Sequence, residues 1–306
     1  MENTESIKVK ESSSSNKNKS KYVLEFITEK IFMISAFVAV ISLLLIIGFV
    51  FYKGLMPFVT EGYSFIDFIF GTEWLPSSKE FGIGAMIVTS MVATVGALII
   101  GVPIGILAAI FIAEICPKKY ARVISTAVEL LAGIPSVLYG IFGLAVIVPA
   151  IQTVLSLPKG QSLLAVIIVL SIMMLPTIIS LSETSIRAVP KAYKEGSLAL
   201  GASKIETIFK VTVPAAKSGI LAGVILGIGR ALGETMAVIL VAGNSTAMPT
   251  SLLDSARPLT TNIALEMGYA AGTHQNMLFA TGVVLFIFII IINLVLTKLT
   301  SKGVDR

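Results

Sequence analysis

Six long apolar stretches, near residues 31–52, 84–114, 123–151, 163–187, 218–243 and 277–299, dominate the 306-residue chain and limit what it can become. Each is near or above the ~20 residues that an α-helix needs to cross ~30 Å of hydrocarbon. With a mean hydropathy of +0.93, 55% hydrophobic and only 13% charged residues, an ordinary soluble domain is excluded. The runs are continuous, unlike the alternating ten-residue segments of an outer-membrane barrel. The expected fold is all-α integral membrane, with six transmembrane helices. The first run is too long for a signal-peptide core and lacks a small-residue cleavage site, so it is expected to remain as a helix. Residues 1–21, rich in Ser, Asn and Lys, read as a disordered cytoplasmic tail ahead of a membrane domain over 22–306.

Basic residues set the orientation. With the N-terminus inside, cytoplasmic segments collect eighteen of the 23 Lys and Arg, and external segments hold only Lys53, Lys79, Lys159 and Arg257, with Arg230 inside the membrane. The asymmetry places both termini in the cytoplasm of a multi-pass protein of the cytoplasmic (inner) membrane. It also accounts for the pI near 9.2 without any nucleic-acid partner. One cysteine, Cys116, and one histidine, His274, leave no basis for an internal disulfide, a zinc site or a Ser-His hydrolase. No enzyme chemistry is expected. The chain has no G-x-x-x-x-G-K-[ST] cradle for nucleotide phosphates, so any energy must come from elsewhere.

Gly219, Gly223 and Gly227 recur every four residues, as do Gly229 and Gly233, which suits close packing of the fifth span against its neighbours. Pro103, Pro135 and Pro176 fall inside spans two, three and four, where a missing backbone donor should kink or break the helix. The loop between spans four and five, residues 190–214, holds Leu198, Leu200, Ile205, Ile208 and Phe209 at roughly helical spacing, interrupted by Gly201 and closed by Pro214. Two short helices outside the membrane are expected. They bury their apolar side against either lipid headgroups or a partner protein.

Within that loop Glu195, Gly196, Ser197, Gly201, Val211, Val213 and Pro214 follow a pattern that resembles the EAA loop of permease subunits of ATP-binding-cassette importers. Small residues stand at 196 and 197 where alanines are usual, and valines where Ile and Leu are preferred. The stretches "ELLAGIPSVLYGIFGL" (129–144), "MMLPTIISLSE" (173–183) and "RALGETMAVILVAGN" (230–244) resemble permeases of phosphate importers. So do the external segments "FGTEWLPSSKEFGI" (70–83) and "RPLTTNIALEMGYA" (257–270), and Met-Ala-Val after Gly-Glu-Thr favours the PstC type. The resemblance covers roughly residues 65–298. It implies a six-helix type I importer bundle that carries inorganic phosphate by alternating access, with 190–214 coupling it to an ATPase. It further implies a heterodimer with a sister permease, two ATPase subunits that use ATP and magnesium, and an extracytoplasmic phosphate-binding protein. No cofactor is expected in this chain. The alternatives are the same machine for another oxyanion such as sulfate or molybdate, an ion-coupled anion carrier or channel, and a membrane scaffold that reports phosphate to a sensor kinase. The coupling pattern speaks against the carrier and the channel.

Arg230 and Glu234 stand in mid-span. A charge there costs on the order of 2.5–3.5 kcal/mol on insertion scales, so both should face protein or water. At i, i+4 on a continuous helix they share a face and pair weakly, since Arg before Glu is the poorer order. One reading is a structural ion pair. The other makes Arg230 the anion's bidentate partner in the substrate pathway and Glu234 the group that prevents overtight binding; the resemblance assigns both to the phosphate path. Glu183 and Arg187, also i, i+4, read as a solvated pair near the cytoplasmic end of span four. Glu129 fits a helix contact or a gate, and no role is assigned to it.

The orientation is testable with single cysteines in a chain whose Cys116 has been replaced. On intact cells a membrane-impermeant thiol reagent should label a cysteine at Ser255 but not one at Ser14 or Ser203. External labelling at 203 overturns the topology.

Overall fold

A computed structural model describes residues 2–301. The chain divides into two units, residues 1–52 and 53–306, and each is described by itself. The first unit is helical throughout its described residues, as part of α1 (Glu2–Thr60). This differs from the expected disorder over 1–21. Residues 2–47 contain neither Gly nor Pro, and an existing helix extends at low cost because its nucleus is already formed.

In the second unit α2 (Phe65–Phe70) leads into a small antiparallel hairpin, β1 (Trp74–Leu75) and β2 (Glu80–Phe81), with Trp74 opposite Phe81. Then follow α3 (Gly84–Ile115), α4 (Lys118–Ala132), α5 (Ser136–Val154), α6 (Leu163–Arg187), α7 (Lys191–Ala199) and α8 (Lys204–Ala215). The chain continues with α9 (Lys217–Gly233), α10 (Met236–Val241), α11 (Leu259–Glu266) and α12 (Thr273–Ser301). Among the described residues five helices are long and apolar enough to span a membrane: α1 over Glu25–Thr60, α3, α5, α6 and α12. The sixth candidate is α8 with α9, bent by 69° at their junction.

Two expected spans are broken. The run over 123–151 is not one helix: α4 ends at Ala132 and α5 begins at Ser136. Pro135 disfavours helical backbone at Ile134 and has no N–H, so it ends one helix and starts the next. The α4 stretch is amphipathic, with Ala121 and Val128 buried and Arg122 and Glu129 exposed. The run over 218–243 also stops early, at Gly233, and Glu234 has extended backbone (φ −69°, ψ 130°). By contrast α3 and α6 run through Pro103 and Pro176. A single lost hydrogen bond is tolerated where neighbouring helices cover the gap.

Helix α6 is the centre of the bundle, buried through Val166, Leu170, Met173, Met174 and Ile178. Glycines bring its neighbours close. A Cβ on Gly105 of α3 would lie 2.7 Å from Ile178 Cγ2. On α9, a Cβ at Gly219, Gly223 or Gly227 would meet Ser185, Leu181 or Ile178 respectively. Gly229 and Gly233 have nothing within 4 Å, so only the first glycine series serves packing within the chain. The N-terminus of α6 is closed by the end of α10 and the segment after it: Ser162, Leu163 and Leu164 donate their backbone N–H groups to the carbonyls of Val241, Asp254 and Leu252.

Gly140 of α5 sets the position of α10, because a Cβ there would lie 2.7 Å from Ala237 Cα. Gly140→Ala must move backbone, and overpacking of this kind costs ~1–3 kcal/mol. Thermal unfolding of the purified protein in detergent should show a lowered midpoint for Gly140→Ala and little change for Gly229→Ala.

Candidate functional site: a broken span and a short helix pair

Arg230 lies thirteen residues beyond Lys217, the start of α9, about 20 Å from that end at 1.5 Å per residue. Its side chain is half-buried and opens on a cavity of about 840 Å³, lined by Thr177, Leu181, Leu226, Gly229 and Asn293 among others. Among the described residues it makes no hydrogen bond or ion pair. Glu234, four residues on, does not share its helical face, because the helix has ended. Its carboxylate instead accepts a hydrogen bond from the Ala237 amide at 3.0 Å, and its carbonyl accepts one from the Thr260 hydroxyl at 2.9 Å. Glu234 borders a separate, narrow cavity with Ser90, Thr94 and Thr260. The expected Arg230–Glu234 pair is therefore absent, because its premise, a continuous helix, fails at Gly233.

Helices α7 and α8 form a second candidate region. Gly201 turns between them in the left-handed region (φ +88°), where a side chain is strained. The Ser197 and Thr207 hydroxyls lie 2.9 Å apart and tie the helices together. Ser203 caps α8 reciprocally with Glu206, whose carboxyl the Ser203 amide and hydroxyl and Lys210 hold at about 2, so it stays ionised at neutral pH. Ile208 is buried, and Val213 packs against the same apolar cluster as Ile112, Ile186 and Ile220. Val211 is half-buried; Glu195, Gly196 and Pro214 are exposed. The outer face presents Tyr193, Leu198, Ile205 and Phe209, all exposed, and Leu200 with 91% of its surface open.

The Glu183–Arg187 pair is not a freely solvated one. Glu183 is buried and accepts from the Ser125 hydroxyl (2.8 Å) and Arg187 Nε (2.9 Å), while Arg187 Nη2 donates to the Ile112 carbonyl (3.2 Å). It joins α6 to α4 and to the end of α3. Glu129 is exposed on α4 and lies outside both regions.

A third cluster escaped the sequence reading. Glu266, only 6% exposed, accepts from Arg257 Nη1 (2.6 Å) and Trp74 Nε1 (2.8 Å) and lies 2.8 Å from His274 Nε2. Arg257 also donates to the Asn244 carbonyl and the Asn262 amide oxygen. Its members come from four separate segments, so no local spacing announces it. A signal was available in that Trp74, Arg257 and Glu266 fall in the two segments, 70–83 and 257–270, that resemble phosphate-importer permeases.

Residues 101–305 match the family profile described as binding-protein-dependent transport system inner membrane component. Over 254 residues the chain is 42% identical to the probable ABC transporter permease protein YqgH of Bacillus subtilis, covering 82% of each. It is 36% identical over 290 residues to the phosphate transport system permease protein PstC of Mesorhizobium japonicum, covering 87% of this chain and 88% of that one. Among solved structures, a bacterial ABC transporter involved in the import of the acidic polysaccharide alginate shares the fold (TM-score 0.56, 16% identity, 86% of this chain and 95% of that chain). So does the MetNI methionine ABC transporter (TM-score 0.52, 21% identity, 72% and 94%).

Proposed function

Because the chain belongs to the family of binding-protein-dependent transport system inner membrane components, we propose that it is the permease subunit of an ATP-driven importer that moves inorganic phosphate across the cytoplasmic membrane. It is a transporter subunit and not an enzyme. Nucleotide, with magnesium, is handled by separate ATPase subunits, and phosphate is delivered by an extracytoplasmic binding protein. The working assembly on this reading pairs the chain with a sister permease and two ATPase subunits. Both termini face the cytoplasm, as do α7 and α8. Phosphate as cargo rests on the PstC relatives, which extend over most of the chain.

The observation that carries the mechanism is Arg230. A guanidinium near mid-membrane, with no internal partner among the described residues, opens on a cavity whose other polar groups are Thr177 and Asn293. Its planar fork suits two oxygens of an oxyanion, and its charge persists at any physiological pH. Glu234 works differently: it holds the helix break that lets α9 end beside the path, through the Ala237 amide. Glu195, Gly196, Ser197, Gly201, Val211, Val213 and Pro214 form the ATPase-coupling element. The apolar side of α7 and α8, exposed among the described residues, is what an ATPase groove would bury.

Arg230→Lys keeps the charge but loses the fork, so phosphate uptake in cells should fall sharply while membrane insertion is unchanged. Arg230→Gln should abolish uptake. Glu234→Gln retains an oxygen acceptor for Ala237 and should insert and fold; paired with Arg230→Gln it should fold yet still not transport. Parent-like uptake by that double variant removes Arg230 from the pathway.

Leu200→Asp places a charge on the docking face without touching the fold, and Gly201→Glu adds strain in the turn. Each should lose ATPase co-purification while the permease remains in the membrane, because an unpaired charge in an interface is costly. Normal co-purification by both removes the coupling assignment.

A further inference from the structure

The end of α3 is held from two directions. Residues Phe111–Ile115 form a π-helical turn, closed by the Cys116 amide on the Phe111 carbonyl at 2.8 Å. Inside this turn Glu114 forms an ion pair with Lys194 of α7, and its side chain is only 12% exposed. Two residues earlier, the Ile112 carbonyl takes the Arg187 hydrogen bond from α6. Apolar contact reinforces both, since Ile110 and Ile112 share a cluster with Ile208 of the second cytoplasmic helix. An ion pair screened from water resists separation far more than an exposed one, because parting it strands a poorly solvated charge. Inserted π turns recur at functional sites, where they give a helix a local point of adjustment.

From this turn α3 runs without a break back to Gly84. At 1.5 Å per residue, Thr94 lies about 30 Å from Glu114 along the axis. Thr94 and Ser90 line the cavity beside Glu234. Helix α9, by contrast, is joined to α8 through the chain itself, across the 69° bend. The cytoplasmic helix pair thus has two mechanical outlets, one covalent into α9 and one electrostatic into α3.

We propose that the Lys194–Glu114 pair is the link through which α7 moves α3, so that motion received on the cytoplasmic side reaches the Ser90 and Thr94 wall of the Glu234 cavity. The proposal rests on the reading of α7 and α8 as the ATPase-coupling element. Lys194 and Glu114 are positioning residues that touch no substrate. The pair moves as one unit: α7 carries the turn with it rather than sliding past it.

The test uses the complete transporter, with sister permease, ATPase and binding protein, in proteoliposomes, reading both ATP hydrolysed and phosphate imported. Glu114→Gln and Lys194→Gln should co-purify with the ATPase like the parent and continue to hydrolyse ATP. The ratio of ATP spent to phosphate imported should rise roughly fivefold or more, the scale of a broken coupling. Independently, cysteines in place of Glu114 and Lys194 in a Cys116→Ser chain remove the pair, and joining them with a short bifunctional thiol reagent should return the ratio to within about twofold of the parent, as expected for two sites that move together. A parental ratio in the two single variants overturns the link, and so does a bridge that stops uptake while hydrolysis continues. Failure of the underlying reading looks different: Leu200→Asp would then co-purify with the ATPase as well as the parent does.

Discussion

Inside hydrocarbon every backbone N–H and C=O must find a partner within the protein, and the organisation of this bundle follows from where that demand is hardest to meet. Two of the expected spans are interrupted, at Gly133–Pro135 and at Gly233–Thr235. At the first, the Tyr139 hydroxyl reaches back to the Leu131 carbonyl at 2.7 Å. At the second, the Glu234 carboxylate takes the Ala237 amide, Thr260 takes the Glu234 carbonyl and Thr235 takes the Gly233 carbonyl. The two breaks also lean on one another, because Gly140 lets α5 approach the Ala237 backbone. Irregular backbone at membrane depth persists only where it is buried in protein or lines a cavity. Discontinuous helices near the midplane recur around transported substrates for that reason.

Run length made the class of protein legible, because hydropathy measures what the bilayer measures. The first glycine series was readable too, since a missing Cβ has a direct steric meaning, and Gly219, Gly223 and Gly227 do meet α6. Hydropathy is blind to where a helix stops within an apolar run. Pro135 was visible as a place where the helix kinks or breaks, and Gly133 two residues before it favours the full break. Gly233 followed by Glu-Thr carried a similar stop signal, hidden by the apolar residues around it. The i, i+4 argument for Arg230 and Glu234 inherited that error, because a helical period has no meaning beyond the helix.

The Glu266 cluster shows a different limit. Glu266 is buried with a guanidinium, an indole N–H and an imidazole converging on its two oxygens. Truncating any one partner of such a buried charge is strongly destabilising, so the four residues act as one fastening. It clamps the β1–β2 hairpin to α11 and the start of α12, alongside the apolar contacts of Trp74, Phe81, Leu259 and Met277. Sequence separation hides it: Trp74 and Glu266 are 192 positions apart. Each residue alone is unremarkable, and only the fold brings their donors to one carboxylate.

The separation of Arg230 from Glu234 bears on how such a protein could cycle. An arginine permanently paired with a carboxylate would hold it more tightly as the surroundings became drier, since Coulomb attraction grows as the effective dielectric falls. An incoming anion would then have to break a part-buried pair, at a cost of several kcal/mol, before it could bind. With the Glu234 carboxylate committed to the Ala237 amide, and its cavity distinct from that of Arg230, an anion bound as proposed would meet no such competitor. What remains near the guanidinium is neutral, Thr177 and Asn293, groups that can both donate and accept hydrogen bonds. Neutral partners add modest affinity each. On the proposed function they would let the anion be held without being trapped, which is the condition for passing it on.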